Sequence, residues 1–298
     1  MSEPQLKYLQ CLSGTGLHRM AYWEWAYTGA GAVSAAPVLV CVHGLTRQGR
    51  DFDSLARRMS DRYRVICPDV VGRGRSDWLL NPAAYQIPGY VADMVVLLAR
   101  LDVAQVDWVG TSMGGLIGMG LAALPAKPAG LVRRMVLNDV GPELSLAALQ
   151  RIGGYLGQNM HFDSVAEGSA YLASISQGFG PHSAAQWAAL SAPMFKPDAS
   201  GQGASLHYDP KIALPFAQVS AESAQAGSAA LWQVFDSLTC PTLLLRGAES
   251  DLQSAATAQA MTQRGPRARL HEFAGVGHAP MLVQDDQIEV VREFLGTV

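Results

Sequence analysis

A glycine–serine–glycine turn set between a buried strand and a small-residue helix constrains this chain more than any other feature. Gly110-Thr111-Ser112-Met113-Gly114 follows the apolar run Val106-Asp107-Trp108-Val109 and precedes Gly115-Leu116-Ile117-Gly118-Met119-Gly120. In that setting G-x-S-x-G reads as a nucleophile elbow, a turn so tight that small residues must flank the serine two positions to either side. It would hold Ser112 Oγ clear of the backbone, at the positive end of the following helix.

A serine hydroxyl is a poor nucleophile at neutral pH, so a base must take its proton and an acid must orient that base. Of the seven histidines, His278 has the setting for the base. It lies in Gly275-Val276-Gly277-His278-Ala279-Pro280, a loop just after the strand-like Arg269–Phe273, and loops at strand ends are where α/β proteins place chemistry. For the acid, Pro241–Gly247 reads as a buried strand and Ala248-Glu249-Ser250-Asp251 follows it, which favours Asp251. Glu249 comes too early on that loop. Asp139, after the strand Arg134–Leu137, is the stronger rival. The strand Val38–Val42 ends in His43-Gly44-Leu45-Thr46-Arg47, and backbone N–H groups there can join that of the residue after the nucleophile to hold an oxyanion. Leu45 and Met113 are the expected donors, with His43 bracing the loop.

Taken together these pieces resemble the α/β-hydrolase superfamily, specifically its capped esterase-like members. The resemblance rests on His43-Gly44, Pro68-Asp69-Val70-Val71-Gly72-Arg73-Gly74-Arg75-Ser76-Asp77, the elbow, Arg246-Gly247 with Asp251, and Gly277-His278. It spans nearly all of the chain outside residues 142–236. The order Ser112…Asp251…His278 is similar to that of this superfamily and differs from the chymotrypsin and subtilisin orders. One departure stands out. Many members place the acid three residues after the strand-end glycine, whereas Asp251 lies four after Gly247. Some members instead carry the acid where Asp139 stands.

Helical patterns recur between the strands, at residues 51–60, 87–101, 112–124, 255–263 and 286–295, which argues for a mainly parallel sheet with helices on both faces. An aromatic-rich antiparallel edge strand is expected at Leu17–Tyr27. The stretch from Gly141 to Asp236 breaks this rhythm: rich in Ala, Ser, Gly and Gln, it has no clear strand and has helical stretches at 145–156, 164–177 and 184–192. Hence the expected division is a hydrolase core of residues 1–141 and 237–298 with a helical cap, 142–236, whose apolar residues, Trp187 and Trp232 among them, line a pocket.

With 298 residues, 49% of them hydrophobic, the chain is long enough for such a core and insertion. A net charge of −3 without a long basic run gives no sign of nucleic acid or anionic membrane partners. Cys11, Cys41, Cys67 and Cys240 form no CxxC, and no HExxH occurs, so neither a metal nor a cofactor is expected. The first residues lack a signal pattern, which implies a cytoplasmic protein.

The expected activity is hydrolysis of a small to medium carboxylic ester through an acyl-enzyme, with Ser112, His278 and Asp251 as triad. Arg47, two residues past Leu45, would favour a substrate carboxylate. Carbon–carbon bond hydrolases of the meta-cleavage type are an alternative, as they resemble this chain in the Ser-Met-Gly-Gly elbow. They usually carry Gly-Pro-Gly in the oxyanion loop and Trp after the histidine, where this chain has Gly44-Leu45-Thr46 and Ala279. A ligand receptor built on a hydrolase fold is the third reading. Dehalogenase and epoxide hydrolase chemistry needs an aspartate where Ser112 stands.

Overall fold

A hairpin of β1 (Gln5–Ser13) and β2 (Gly16–Trp25) opens the chain, followed by β3 (Val38–Val42), helix α1 (Asp53–Met59) and β4 (Arg64–Asp69). Then come α2 (Ile87–Leu101), β5 (Val106–Thr111), α3 (Met113–Ala122) and β6 (Val132–Asn138). This computed structural model describes residues 3–30, 36–126, 130–143, 145–197, 203–218 and 220–296. After β6 the chain leaves the main sheet for α4 (Leu146–Tyr155), β7 (His161–Phe162), α5 (Val165–Ile175), α6 (Ala184–Ser191), β8 (Phe195–Pro197), β9 (Ala204–Leu206) and α7 (Ala221–Ser237). It returns with β10 (Thr242–Gly247), α8 (Ala255–Met261), β11 (Arg269–Phe273) and α9 (Asp285–Gly296).

The main sheet has the order β1-β2-β4-β3-β5-β6-β10-β11. Within it only the β1–β2 and β2–β4 pairings are antiparallel; β4, β3, β5, β6, β10 and β11 run parallel. Period-two alternation splits each central strand between two cores. Val38, Val40 and Val42 pack with Leu97 of α2 and Ile117 of α3, while Leu39 and Cys41 pack with Leu55 of α1 and Val291 of α9. Helices therefore cover both faces, and the inner strands β3 and β10 are buried along their whole length while the edge strand β11 is partly exposed.

Two expectations change here. The edge is a two-strand hairpin rather than one strand, because β1 buries only Leu9 and Cys11 and so leaves little alternation to read. The segment between β6 and β10 is not strand-free: β7, β9 and β8 form a small antiparallel sheet around Phe162, Leu172 and Phe195. Strands of two or three residues are too short to show a period. No helix among the described residues is long and apolar enough to cross a membrane.

Candidate active site

Ser112 stands at the junction of β5 and α3 with φ 51° and ψ −117°, a conformation L-residues rarely adopt. The elbow's glycines make it possible. A Cβ on Gly114 would lie 2.0 Å from the Val42 carbonyl oxygen, and one on Gly110 would lie 2.3 Å from that of Gly114. Met113 opens α3, so its N–H lies in the first turn, where donors have no intrahelical acceptor.

His278 Nε2 lies 3.1 Å from Ser112 Oγ, and its Nδ1 lies 2.7 Å from Asp139 Oδ2. With the Asp139 carboxylate accepting from Nδ1–H, Nε2 is left as an acceptor for the Ser112 hydroxyl. Asp139 follows β6 with φ 55° and is fully buried. Gly247 N–H donates to its Oδ1 at 2.9 Å, and the Ser250 hydroxyl donates to Oδ2 at 2.6 Å. Asn138 ties the parts together: its carbonyl accepts from Ser112 N–H, and its Nδ2 donates to Thr111 Oγ1 and to the Pro280 carbonyl.

The acid expected from the sequence, Asp251, is not at His278. Its carboxylate accepts a two-pronged contact from Arg151 of α4, at 2.8 and 3.1 Å, with both side chains about half exposed. The reason is register. Leu245 of β10 pairs with Asn138 of β6, so the two strand ends lie side by side and either loop could have supplied the carboxylate. Three residues after Gly247 stands Ser250, and its hydroxyl is spent on Asp139. Asp251, one residue further on, turns outward. Glu249 lines the cavity without bonding the imidazole.

The loop after β3 is braced as expected. His43 is fully buried, with Nδ1 2.7 Å from the Gly44 carbonyl and Nε2 accepting from Val70 N–H at 3.0 Å. Burial, with the Arg73 and Arg47 cations adding, pushes its pKa down to about 3 and keeps it neutral. Arg47 donates through Nε and Nη2 to Asp51 and through Nη2 to the Leu190 carbonyl; Nη1 takes part in neither contact.

Two cavities meet at Ser112. One, of about 300 Å³, holds His278, Arg47, Tyr171, Phe179 and Met194, with the Arg151–Asp251 pair on its wall. The other, of about 270 Å³, is lined by Leu116, Val140, Leu149, Phe216 and Arg73 among others. Leu45, Ser112 and Ile152 border both. Neither tryptophan singled out from the sequence lines either cavity. Trp187 stacks behind Phe179 at 6.1 Å, and Trp232 packs edge-on against Phe235 beneath the Arg264 guanidinium. Large aromatics look alike in sequence whether they face a cavity or back it.

The model of the alpha/beta hydrolase family matches residues 39–293. The chain belongs to the alpha/beta hydrolase family. Over 98% of each chain it is 50% identical to the 3-hydroxybutyrate-oligomer hydrolase of Cupriavidus necator. It is 28% identical to the 2-(acetamidomethylene)succinate hydrolase of Mesorhizobium japonicum over 77% of each. A solved alpha/beta hydrolase of Novosphingobium aromaticivorans superposes with TM-score 0.85 over the whole of both chains at 35% identity. This alpha/beta hydrolase is an esterase-like enzyme.

Several residues that hold the hydrolase site together were not identified from the sequence. Ser250 and Asn138 are polar chain neighbours of the residues weighed as the acid, and the hints that the acid lay elsewhere were the gap between Gly247 and Asp251 and the likeness to family members with an acid at the position of Asp139. Asp69, at the end of β4, is wholly buried and accepts from Gly49 N–H and Arg75 N–H, both at 2.8 Å, and from Trp23 Nε1. Burial nonetheless raises its pKa to about 6. A Cβ on Gly74, whose φ is 52°, would lie 2.4 Å from Asp69 Oδ2. The Gly72–Gly74 spacing therefore serves this loop, not a nucleotide.

Proposed function

We propose that this enzyme hydrolyses short oligomeric esters of a 3-hydroxy acid, with Ser112 as nucleophile, His278 as general base and acid, and Asp139 as the orienting carboxylate. The observation that carries the chemistry is the continuous Ser112–His278–Asp139 chain at 3.1 and 2.7 Å. The substrate class rests on the relative that is 50% identical over nearly the whole chain.

Ser112 Oγ attacks the ester carbonyl carbon as its proton passes to His278 Nε2, and the carbonyl π electrons move onto oxygen. The N–H groups of Leu45 and Met113 donate to that oxyanion. As it collapses, the bond from carbon to the alcohol oxygen breaks, and Nε2 returns the proton to the departing alcohol. Water then gives a proton to Nε2 and attacks the acyl carbon, releasing the acid and restoring Ser112. Asp139 holds the imidazole tautomer through its bond to Nδ1.

Because the leaving oxygen takes its proton from His278, the alcohol half belongs in the cavity that contains His278, and the acyl half in the other. In a hydroxy-acid oligomer the alcohol half carries the free carboxylate, on the side where Arg47 lies. Residues 142–236 act as a cap over both halves. The free thiols of Cys11, Cys41, Cys67 and Cys240 suit a reducing compartment, and cytoplasmic residence is part of this proposal.

The test is chromatographic release of monomer from a 3-hydroxybutyrate dimer and trimer, run beside fluorophosphonate labelling. Wild type should turn over and label at Ser112. The folded Ser112→Ala protein should do neither, with kcat down by about 10⁴–10⁶. A folded Ser112→Ala protein with near-normal turnover overturns the chemistry. Labelling without oligomer cleavage overturns only the substrate.

A further inference from the structure

Beneath the junction of the two cavities lies a cation with no counter-ion among the described residues. Arg73 is wholly buried. Its Nε donates to the Leu45 carbonyl at 2.8 Å, and its Nη1 to the Val71 carbonyl at 2.8 Å and to Tyr90 Oη at 3.0 Å. Among the described residues its Nη2 has only the Met113 thioether, at 3.6 Å. The rings of Tyr85 and Tyr90 lie 5.7 and 5.2 Å from its Cζ. All of these partners are neutral. Among the described residues no carboxylate reaches ion-pair distance, and Asp209 is engaged by the Tyr85 hydroxyl at 2.6 Å.

Burying a guanidinium among neutral acceptors is strongly unfavourable, and elsewhere this chain avoids it: buried Arg47 is paired with Asp51. What sets Arg73 apart is where its donors go. Nε holds Leu45 and Nη2 touches Met113, the two residues whose N–H groups would receive the oxyanion. An uncompensated charge in a dry site acts over a longer range than it would in water. It is also already fixed by several bonds, so nothing need reorganise when negative charge develops.

We infer that Arg73 is a positioning residue for the oxyanion hole, holding the Leu45 loop against α3 and supplying a fixed positive charge to the transient oxyanion. The inference rests on the Ser112 reading above. A neutral ester in the ground state gains little from Arg73, so its contribution lies in kcat rather than KM.

The experiment compares wild type, Arg73→Lys and Arg73→Met on one neutral ester, together with two inhibitors. An alkyl trifluoromethyl ketone adds to the serine as an ionised hemiketal, while the matching methyl ketone stays uncharged. In Arg73→Met, kcat should fall by about a hundredfold or more with KM little changed, and trifluoromethyl ketone affinity should fall by a similar factor. Methyl ketone affinity should hold. Arg73→Lys, which keeps the charge, should retain about tenfold more activity than Arg73→Met.

A rise in KM with kcat intact would make Arg73 a ground-state anchor and overturn the proposal, as would full activity in both variants. A wild-type measurement covers the case in which neither variant folds. Carbon-13 resonances of the labelled hemiketal should report an adduct that stays ionised well below the pKa of the free hemiketal. An adduct that protonates near the free value overturns the proposal. A wild type that forms no adduct at all instead removes the Ser112 reading.

Discussion

Asp139 Oδ2 lies 2.7 Å from His278 Nδ1, across 139 residues of sequence and from the end of β6 rather than β10. Its second oxygen accepts from Gly247 N–H, so the strand that might have carried the acid instead orients it. The site thus depends on two neighbouring strand ends.

Asp139→Asn should lower kcat by about 10⁴, because the amide no longer holds the productive histidine tautomer. Asp251→Asn should leave kcat within a few-fold of wild type, since it breaks only a half-exposed pair with Arg151, worth about 0–1 kcal/mol. Steady-state kinetics of the two variants on one ester check this. The reverse ranking would restore Asp251 as the acid.

Ser250→Ala removes the 2.6 Å hydroxyl bond to Asp139 Oδ2 and two bonds that its oxygen accepts, from Leu252 N–H and Gln253 N–H. One lost bond to a charged acceptor corresponds to about 1.5–3 kcal/mol, so kcat should fall by roughly ten- to a hundredfold. The basic group in the pH–rate profile should also titrate at a different pH. A variant with an unchanged profile and rate would leave Ser250 a merely local brace.

Arg47 is tested on a matched pair, a hydroxy-acid dimer with its carboxylate free and the same dimer as a methyl ester. Asp51 is buried, so the variant is Arg47→Gln combined with Asp51→Asn, which strands no charge. Loss of a charged contact should cut kcat/KM for the free acid by about ten- to a hundredfold more than for the methyl ester. Equal losses on both substrates would leave Arg47 a purely structural ion.

Asp69 should make stability depend on pH in the sense opposite to a paired carboxylate. Its folded pKa is raised from 3.8 to about 6, so between those values the native state binds more protons than the unfolded chain. Stability then falls as pH rises through that window, by about 3 kcal/mol from this group. Denaturant unfolding of wild type and Asp69→Asn at pH 4 to 7 measures it. In the variant that contribution should vanish; an identical pH slope in both proteins would remove Asp69 as its source.

The sequence by itself determined the parts of this protein that are local. The elbow is legible because Gly110 and Gly114 have no room for a side chain, and the alternation through Val38–Val42 is legible because a strand turns successive residues to opposite faces. His278 could be placed because its loop directly follows a strand end. Tertiary structure decided which partners those parts acquired. The pairing of Leu245 with Asn138 sets the loops after β6 and β10 side by side, and a carboxylate on either is then near the imidazole. The choice between Asp139 and Asp251 fell to a positive φ at residue 139 and to the Ser250 hydroxyl bonding Asp139, neither of which leaves a period or a composition to read. In the same way Arg47 met Asp51, Trp187 stacked behind Phe179, and Arg73 was buried under Leu45 and Met113. Propensity and pattern act over a few residues, whereas the pairing of charges across a site depends on how strands far apart in the chain are brought together.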